Sequence, residues 1–315
     1  MHTYILRRLL LFPVMLFAIS MITFTMIRAL PGDAAVARLG ATGGQCDTCF
    51  EQVRKELGLD KSKVEQYWIW AKGAVQLDFG LSTSNRSDVT SELGERFSNT
   101  LQLGLITIAF TLIIGIPIGI ISAVKAGTVV DYLLRFFSIL GLSVPSFWIA
   151  TLVIFMPLIW WGETPLRDWA TLTDDPVQHF INLLLPAIVL SIGGSAYIAR
   201  ITRSSMVETL SSDHVRTARA KGLRERGVIL RHVLRNSMLT LLTVVGLQFG
   251  VVLGGSVVIE SIFGIPGLGA WIVKGVNDRD YQIVQAVTVV FALWFLAITL
   301  ITDILYAWVD PRIRY

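Results

Sequence analysis

The sequence predicts an all-α integral membrane protein with six transmembrane helices. Hydrophobic residues make up 53% of its 315 residues and charged residues only 16%, whereas an ordinary soluble domain carries roughly 25% charged residues. Six stretches are almost free of charge and reach the roughly 20 apolar residues that a helix needs to cross a bilayer. Since backbone amides in lipid must be satisfied within their own segment, each stretch is expected to be a helix.

The spans follow one another along the whole chain. They are predicted at 9–27, 97–124, 136–162, 180–199, 236–259 and 281–302, the last continuing past Asp303 to Val309. Pro117 and Pro145 are expected to kink their helices, and Pro186 is a third candidate. Ala35-Val36-Ala37 resembles a signal-peptidase site. However, the first apolar run exceeds the roughly 7–15 residues of a secretory signal, so a retained span is favoured.

Loop charge predicts the orientation, because positive loops stay cytoplasmic. The N-terminus carries Arg7 and Arg8, and loop 200–235 has nine basic and three acidic residues. Both termini are therefore expected inside. The resulting organisation is an N-terminal transmembrane helix at 1–30, an extracytoplasmic segment at 31–97, a core with five transmembrane helices at 98–309 and a cytoplasmic tail at 310–315.

Segment 31–97 is too long for a bare connector. Residues 51–57, closed by Gly58, predict a short helix, and the aromatic stretch 64–77 predicts a second. The segment is either a docking surface for an extracytoplasmic partner or a structural cap over the helix ends. Cys46 and Cys49 are a candidate local disulfide outside the membrane. A zinc site is not expected, because the segment has no further cysteine pair or histidine.

Glycines at four-residue spacing mark two spans, Gly115 and Gly119 in the second and Gly246, Gly250 and Gly254 in the fifth. Such spacing lets helices approach closely. It indicates either packing within the chain or a subunit interface or pathway surface. Gln248 is the best polar candidate for a pathway wall. Asp303 and Glu260 are acids within or at the end of spans, for which pairing is favoured over proton relay.

The cytoplasmic loop contains a short helix with its own boundaries. Asp213 is expected to cap a helix that begins at His214, Arg219 and Lys221 lie in its last turn, and Gly222 supplies a left-handed stop. The positive charge of the loop fits cytoplasmic retention or binding of anionic lipid. The capped helix instead indicates an object shaped to insert into a partner.

Several dispersed motifs carry a resemblance to one family. The loop motifs are Thr202-Arg203-Ser204-Ser205-Met206, Arg216-Thr217-Ala218-Arg219-Ala220-Lys221-Gly222-Leu223 and Leu234-Arg235-Asn236-Ser237. Others, in chain order, are Pro31-Gly32-Asp33, Leu57-Gly58-Leu59-Asp60, Asp78-Phe79-Gly80, Gly115-Ile116-Pro117-Ile118-Gly119, Ser143-Val144-Pro145, Glu260-Ser261-Ile262-Phe263, Pro266-Gly267-Leu268-Gly269, Asp280-Tyr281 and Asp310-Pro311-Arg312-Ile313-Arg314. Over almost its whole length the chain resembles the binding-protein-dependent ABC importer permeases of the dipeptide/oligopeptide/nickel branch, specifically the first, or B-type, permease of each pair.

This resemblance implies a type I ABC importer permease fold and transport of di- or oligopeptides across a bacterial or archaeal cytoplasmic membrane. It implies three classes of partner besides membrane lipid: a second homologous permease, two ATPase subunits or domains that hold ATP-Mg, and an extracytoplasmic solute-binding protein. It also implies an ATPase-coupling helix made of Asp213, His214, Val215, Arg216, Thr217, Ala218, Arg219, Ala220, Lys221 and Gly222. Two residues depart from the family pattern, Thr240 and Ala34, which stand where prolines are common.

Other functions are less favoured by the sequence. No Gly-Lys dipeptide occurs, so the chain has no Walker A phosphate loop, and no nucleophile–base pair or metal cluster indicates an enzyme. No cofactor, metal or nucleic acid is expected in this chain. Nickel or another small solute is an alternative cargo of the same machinery. An ion-gradient carrier is an alternative of another class, opposed by the scarcity of intramembrane ionisable groups, and a scaffold or channel would not need the capped helix.

Overall fold

The computed structural model describes residues 2–29, 34–39, 47–165 and 168–309, and the regular secondary structure of these residues is helical apart from one isolated β-bridge between Leu81 and Asp88. The helices are α1 His2–Ala29, α2 Ala34–Leu39, α3 Asp47–Glu56, α4 Lys63–Val75, α5 Val89–Val124, α6 Val129–Ser143, α7 Ser146–Trp161, α8 Pro176–Leu210, α9 Asp213–Ala220, α10 Glu225–Gly227, α11 Leu234–Phe263, α12 Leu268–Asn277 and α13 Tyr281–Val309. A π-helical turn, Val228–Val233, joins α10 to α11.

Five of the six predicted spans are confirmed as single helices. The helices long and apolar enough to cross a membrane are Arg8–Ala29, Val89–Val124, Pro176–Leu210, Thr240–Phe263 and Tyr281–Leu305. Helix α13 continues to Val309, as predicted. Pro117 and Pro186 lie inside α5 and α8, each of which is one helix on both sides of its proline.

The third predicted span, 136–162, is not one continuous helix, and the kink predicted at Pro145 is confirmed as a break between two helices. It divides into α6 and α7, which meet at an angle of 89°. The break lies at Val144 and Pro145: Val144 has extended backbone angles of φ −93° and ψ 121°. A residue before proline is pushed out of the helical region, and proline itself has no N–H to continue the ladder. The count of six therefore holds only if this bent pair is one span.

Both helices predicted within 31–97 are present with shifted ends. The first, α3, begins at Asp47 and closes through Gly58 at φ +65°. The Gly58 N–H donates to the Lys55 carbonyl and the Leu59 N–H to the Arg54 carbonyl, which is a Schellman closure. The second, α4, begins after Ser62, whose hydroxyl accepts from the Glu65 N–H. Helix α12, after Pro266-Gly267, was not predicted.

The chain forms two compact units. One contains Leu101–Gly264 and the chain from Ile298 onward; the other contains His2–Thr100 and Ile265–Ala297. In the first, hereafter the 101–264 unit, α8 packs against α6, α7 and α11. The second, hereafter the 2–100 unit, has an aromatic core. That core includes Phe24 of α1, Tyr67 and Trp70 of α4, and Trp271 of α12.

Candidate functional site: the loop helix

Helix α9 is the predicted loop helix, with one difference at its start. Its N-cap is Ser212, which has extended angles of φ −74° and ψ 152°, and not Asp213. The Ser212 carbonyl accepts the first helical hydrogen bonds, from the N–H groups of Val215 and Arg216. The Ser212 hydroxyl donates back to the Thr209 carbonyl. Asp213 is therefore the first helical residue, where its charge still suits the helix dipole.

The end of α9 is as predicted, and its geometry explains why the glycine is needed. Gly222 has a φ of +74°, a backbone conformation that costs side-chain-bearing residues energy. The Gly222 N–H donates to the Arg219 carbonyl at 2.9 Å, and the Leu223 N–H to the Ala218 carbonyl at 3.4 Å. These two bonds form a Schellman closure that stops the helix after Ala220.

One face of α9 is an apolar anchor. Val215 and Ala218, three residues apart and so on one side of the helix, are buried at 0% and 5% exposure. They belong to a buried cluster that also contains Ala123, Met206, Val228 and Val233. The anchor thus joins α9 to the C-terminal ends of α5 and α8 and to the π-helical turn. Burial of this apolar surface is what holds a helix of only eight residues in place.

The opposite face of α9 is exposed and charged. The side chains of Asp213 and Arg216 are 97% and 74% exposed, and their charged groups are 3.7 Å apart. Thr217, Ala220 and Lys221 are exposed as well. Since the anchor side is filled, this face is the one available to another protein.

Two polar contacts connect the ends of α9 to the helices that follow it, α10 and α11. Arg219 donates to Glu225 at 2.6 Å, and this hydrogen bond holds the pKa of Glu225 below its usual range and raises the pKa of Arg219. His214 Nε2 lies 2.9 Å from the amide nitrogen of Asn236 in α11. Helix α9 is therefore tied to α11 at its start through His214 and to α10 at its end through Arg219.

The chain then enters α11 through the π-helical turn at Val228–Val233. Such turns are rare and are often found at functional sites. Two of its residues, Val228 and Val233, are fully buried in the anchor cluster. The departure from α-helical geometry thus lies beside α9, at the entry to the fifth predicted span.

The family models match the chain over most of its length. The model described as "Binding-protein-dependent transport system inner membrane component" covers residues 115–315, and the one for the N-terminal part of the same membrane component covers residues 1–104. The chain belongs to this family of importer permeases. The family members are multi-pass inner-membrane proteins of ABC importers that work with ATPase and binding-protein partners.

Curated relatives match the permease along its entire length. The glutathione transport system permease protein GsiC of Escherichia coli strain K12 is 42% identical, with 100% of each chain covered. GsiC of Shigella flexneri serotype 5b is 41% identical over the same full length. Their names describe permease proteins of a transport system, which is a non-enzymatic role.

Solved structures share the permease fold at low identity. An inward-facing MetNI methionine ABC transporter has a chain with a TM-score of 0.56 and 18% identity, covering 69% of this permease and 96% of that chain. An amino acid ABC transporter solved with histidines gives a TM-score of 0.55 and 15% identity, covering 69% and 94%. The fold is therefore that of type I ABC importer permeases.

The glycines singled out in the permease sequence have different surroundings. A Cβ on Gly115 would lie 2.7 Å from the Ser195 carbonyl oxygen, and one on Gly119 would lie 2.5 Å from Thr202 Cβ, so α5 and α8 cross in close contact. A Cβ on Gly246 would lie 2.6 Å from Thr302 Cγ2 in α13. Gly250 is half-buried, and Gly254 has open space around it.

Gln248 is buried inside the permease, at 6% exposure. A Cβ on Gly194 of α8 would lie 2.9 Å from both the Gln248 amide nitrogen and the Thr111 hydroxyl. Gln248 therefore lies in a polar seam between α5, α8 and α11. Its role in a pathway wall stays a prediction.

A charged cluster beside the loop helix was missed from the sequence. Asp131 of α6 is buried at 1% exposure and accepts two hydrogen bonds from Arg203 of α8, at 2.7 and 2.8 Å. It also accepts from the Ser122 hydroxyl at 2.6 Å and the Gly127 N–H at 3.0 Å. A lone acid in a basic loop, opposite an arginine of a family motif, was the available signal.

The remaining predicted positions lie partly outside the described residues. These are Cys46, Pro31-Gly32-Asp33 and the tail at 310–315. Cys49 is disulfide-bonded, and its predicted pairing with Cys46 stays a prediction. Glu260 is completely buried at the end of α11, and Asp303 is half-buried in α13.

Proposed function

We propose that this chain is one of two permease subunits of an ATP-driven, binding-protein-dependent importer of short peptides, including glutathione-like tripeptides. The 42% identity, over the full length of both chains, to permeases named for glutathione transport supports short peptides as the cargo, because glutathione is itself a tripeptide. The chain has no ATPase site of its own, and ATP-Mg is held by two partner ATPase subunits. No other cofactor takes part in this chain.

The observation that carries the proposal is the construction of α9. A helix that only connects two spans needs no Schellman closure, no buried Val215 and Ala218, and no charged outer face. A helix that transmits force needs all three, because its anchors must move with the spans while its outer face stays available. In this proposal Asp213–Gly222 docks on the ATPase, and the anchor passes its movement to α5, α8 and α11.

The arrangement in the membrane follows from the loop charges. Both termini and the loop that carries α9 lie in the cytoplasm, and segment 31–97 lies outside, where it meets the solute-binding protein. A second, homologous permease completes the pathway. The single chain therefore transports nothing alone.

The docking role is tested by reversing the charge of Arg216 on the exposed face. In Arg216→Glu we expect loss of the co-purifying ATPase and a fall in peptide uptake of about tenfold or more, because exposed arginines at interfaces are frequent anchors. Lys125→Glu makes the same charge change in the α5–α6 loop, at an exposed residue outside α9, and should leave both readouts intact. If the wild type, Arg216→Glu and Lys125→Glu all co-purify with the same amount of ATPase and take up peptide equally, docking through α9 is refuted.

The cargo is tested separately with the assembled importer. Labelled glutathione should accumulate in an ATP-dependent manner, and unlabelled trialanine should compete with it. Uptake of Ni²⁺ with no peptide uptake would replace the peptide assignment with the nickel alternative. Accumulation that follows an ion gradient and persists without ATP would overturn the importer class itself.

A further inference from the structure

Besides the two amide atoms of Gln285, three buried polar atoms of the 2–100 unit have no hydrogen-bond partner among the described residues. They are Nη1 of Arg28, the indole Nε1 of Trp70 and Oε1 of Gln282. Trp70 is only 8% exposed. Almost all buried polar groups in folded proteins are paired, so each unpaired one asks for an explanation, such as a bound ion or water. Three unpaired atoms in one neighbourhood indicate a shared explanation, such as one bound ligand.

The neighbourhood consists of two cavities that share Arg28 and Gln282 in their walls. One cavity has a volume of 380 Å³ and is also bordered by Trp70. The other has a volume of 460 Å³ and is also bordered by Arg38 and Arg86. Both volumes fall within the few hundred Å³ that small-molecule sites occupy.

The walls of the two cavities carry an excess of positive charge. The positively charged side chains that border the cavities are Arg28, Arg38, Lys55, Lys61 and Arg86, and the negatively charged ones are Glu56 and Asp78. Glu56 is already engaged, at 2.6 Å by Arg86 and at 3.5 Å by Arg38. An anion is therefore the ligand that this charge favours.

Arg28 is held in place by neutral groups. Its Nε donates to Gln66 Oε1 at 3.0 Å, and the Gln66 amide in turn donates to the Lys61 carbonyl at 2.9 Å. The guanidinium carbon lies 3.6 Å from the ring centroid of Phe24 and 4.8 Å from that of Tyr281. The aromatic rings and the amide orient the guanidinium without neutralising it, as a site built for an incoming anion requires.

We propose that these two cavities form a binding site for the carboxylate of a small organic anion, held by Arg28, Trp70 and Gln282. A guanidinium binds a carboxylate through two parallel hydrogen bonds, and an indole N–H can only donate. The oxygen and nitrogen of a glutamine amide are interchangeable in position, so Gln282 can present its NH₂ group. The C-terminal carboxylate of a short peptide is the form supplied by the proposed function, and the choice of peptide rests on that function.

The site is tested by binding to the full-length chain in phosphatidylcholine nanodiscs, with trialanine and trialanine amide as calorimetric probes. The wild type should prefer the carboxylate by about tenfold or more, since a charge-assisted hydrogen-bond pair is lost with the amide. Arg28→Gln should abolish this preference. Lys72→Gln removes a positive charge from an exposed residue of α4 that borders neither cavity, and should keep it.

A second variant separates loss of the site from loss of the fold. Trp70→Phe removes the indole N–H but keeps an aromatic ring, and should weaken trialanine binding while leaving the amide unaffected. Equal affinity of the wild type for both probes, no binding of either, or a preference that survives in Arg28→Gln would each overturn the proposal. So would loss of trialanine binding in phosphatidylglycerol nanodiscs, together with lipid retention that depends on Arg28, since a lipid headgroup would then be the occupant.

Uptake by the assembled importer distinguishes this site from the proposed function. Trialanine uptake by a wild-type importer whose chain shows no carboxylate preference would sink the site and leave the function standing. Carboxylate-selective binding that depends on Arg28, without any peptide uptake, would sink the peptide assignment and leave the site standing.

Discussion

Two glycine motifs with the same four-residue spacing differ in this permease: both glycines of the α5 motif are in tight contact, whereas the α11 motif begins with a tight glycine, Gly246, and ends with an open one. Gly115 and Gly119 face another helix so closely that a Cβ would approach backbone oxygens and Thr202 at 2.5–2.7 Å. Gly254, which ends the tandem motif of α11, has nothing within 4 Å of its Cβ position. Spacing thus identifies where helices are able to approach, and only the neighbouring helix decides whether they do.

The largest effect is expected at Gly119. Gly119→Val should destabilise the chain by about 3 kcal/mol or more, because the new side chain meets Thr202 and the carbonyl of Ala199, and a backbone atom cannot rotate away. The measurement is thermal unfolding in detergent together with accumulation in the membrane. Gly119→Val with wild-type thermal stability would show that the close crossing of α5 and α8 is wrong.

An intermediate effect is expected at Gly246, whose nearest neighbour is a side chain. Gly246→Ala should cost about 1–2 kcal/mol, because Cγ2 of Thr302 lies 2.6 Å from the new Cβ. Adding Thr302→Ala should recover most of that loss in the same unfolding measurement. If the two substitutions instead destabilise additively, Gly246 and Thr302 do not share a contact.

The smallest effect on stability is expected at Gly254. Gly254→Ala should be neutral or stabilising by about 0.5–1 kcal/mol, since alanine restricts the unfolded chain and meets no neighbour here. Peptide uptake by the assembled importer is the informative readout. Reduced uptake in this stable variant would show that Gly254 contacts the second permease or lines the transport pathway. Unchanged uptake would show that Gly254 takes part in neither of these contacts.

The helix ends near glycine were predictable because they depend on local backbone chemistry. Gly58 and Gly222 each follow a helical stretch, and each adopts the positive φ that a Schellman closure needs. The start of α9 was placed one residue late because Ser212 and Asp213 are both good N-caps. The hydrogen bond from the Ser212 hydroxyl to Thr209 helps to settle the choice, and it involves the preceding helix.

The kink at Pro145 was predicted, but the size of the bend between α6 and α7 and the existence of α12 were less accessible. The charge-free run at 136–162 continues through Val144-Pro145, so hydropathy alone joins two helices that differ in direction by 89°. Helix α12 has only ten residues, too few for the length criterion that found the spans. Asp131 gave a weak signal because its partner Arg203 is 72 residues away.

By itself the sequence determined five of the helical spans, the capped helix of loop 200–235 and the family. These follow from the demand that lipid places on every backbone amide, and from short motifs whose residues are neighbours in the chain. Only the tertiary structure decided which glycines are in tight contact, that Val215 and Ala218 are anchors, and that Arg28, Trp70 and Gln282 border the same cavity. These facts depend on which distant segments pack together, because side chains far apart in sequence meet only when the helices that carry them do.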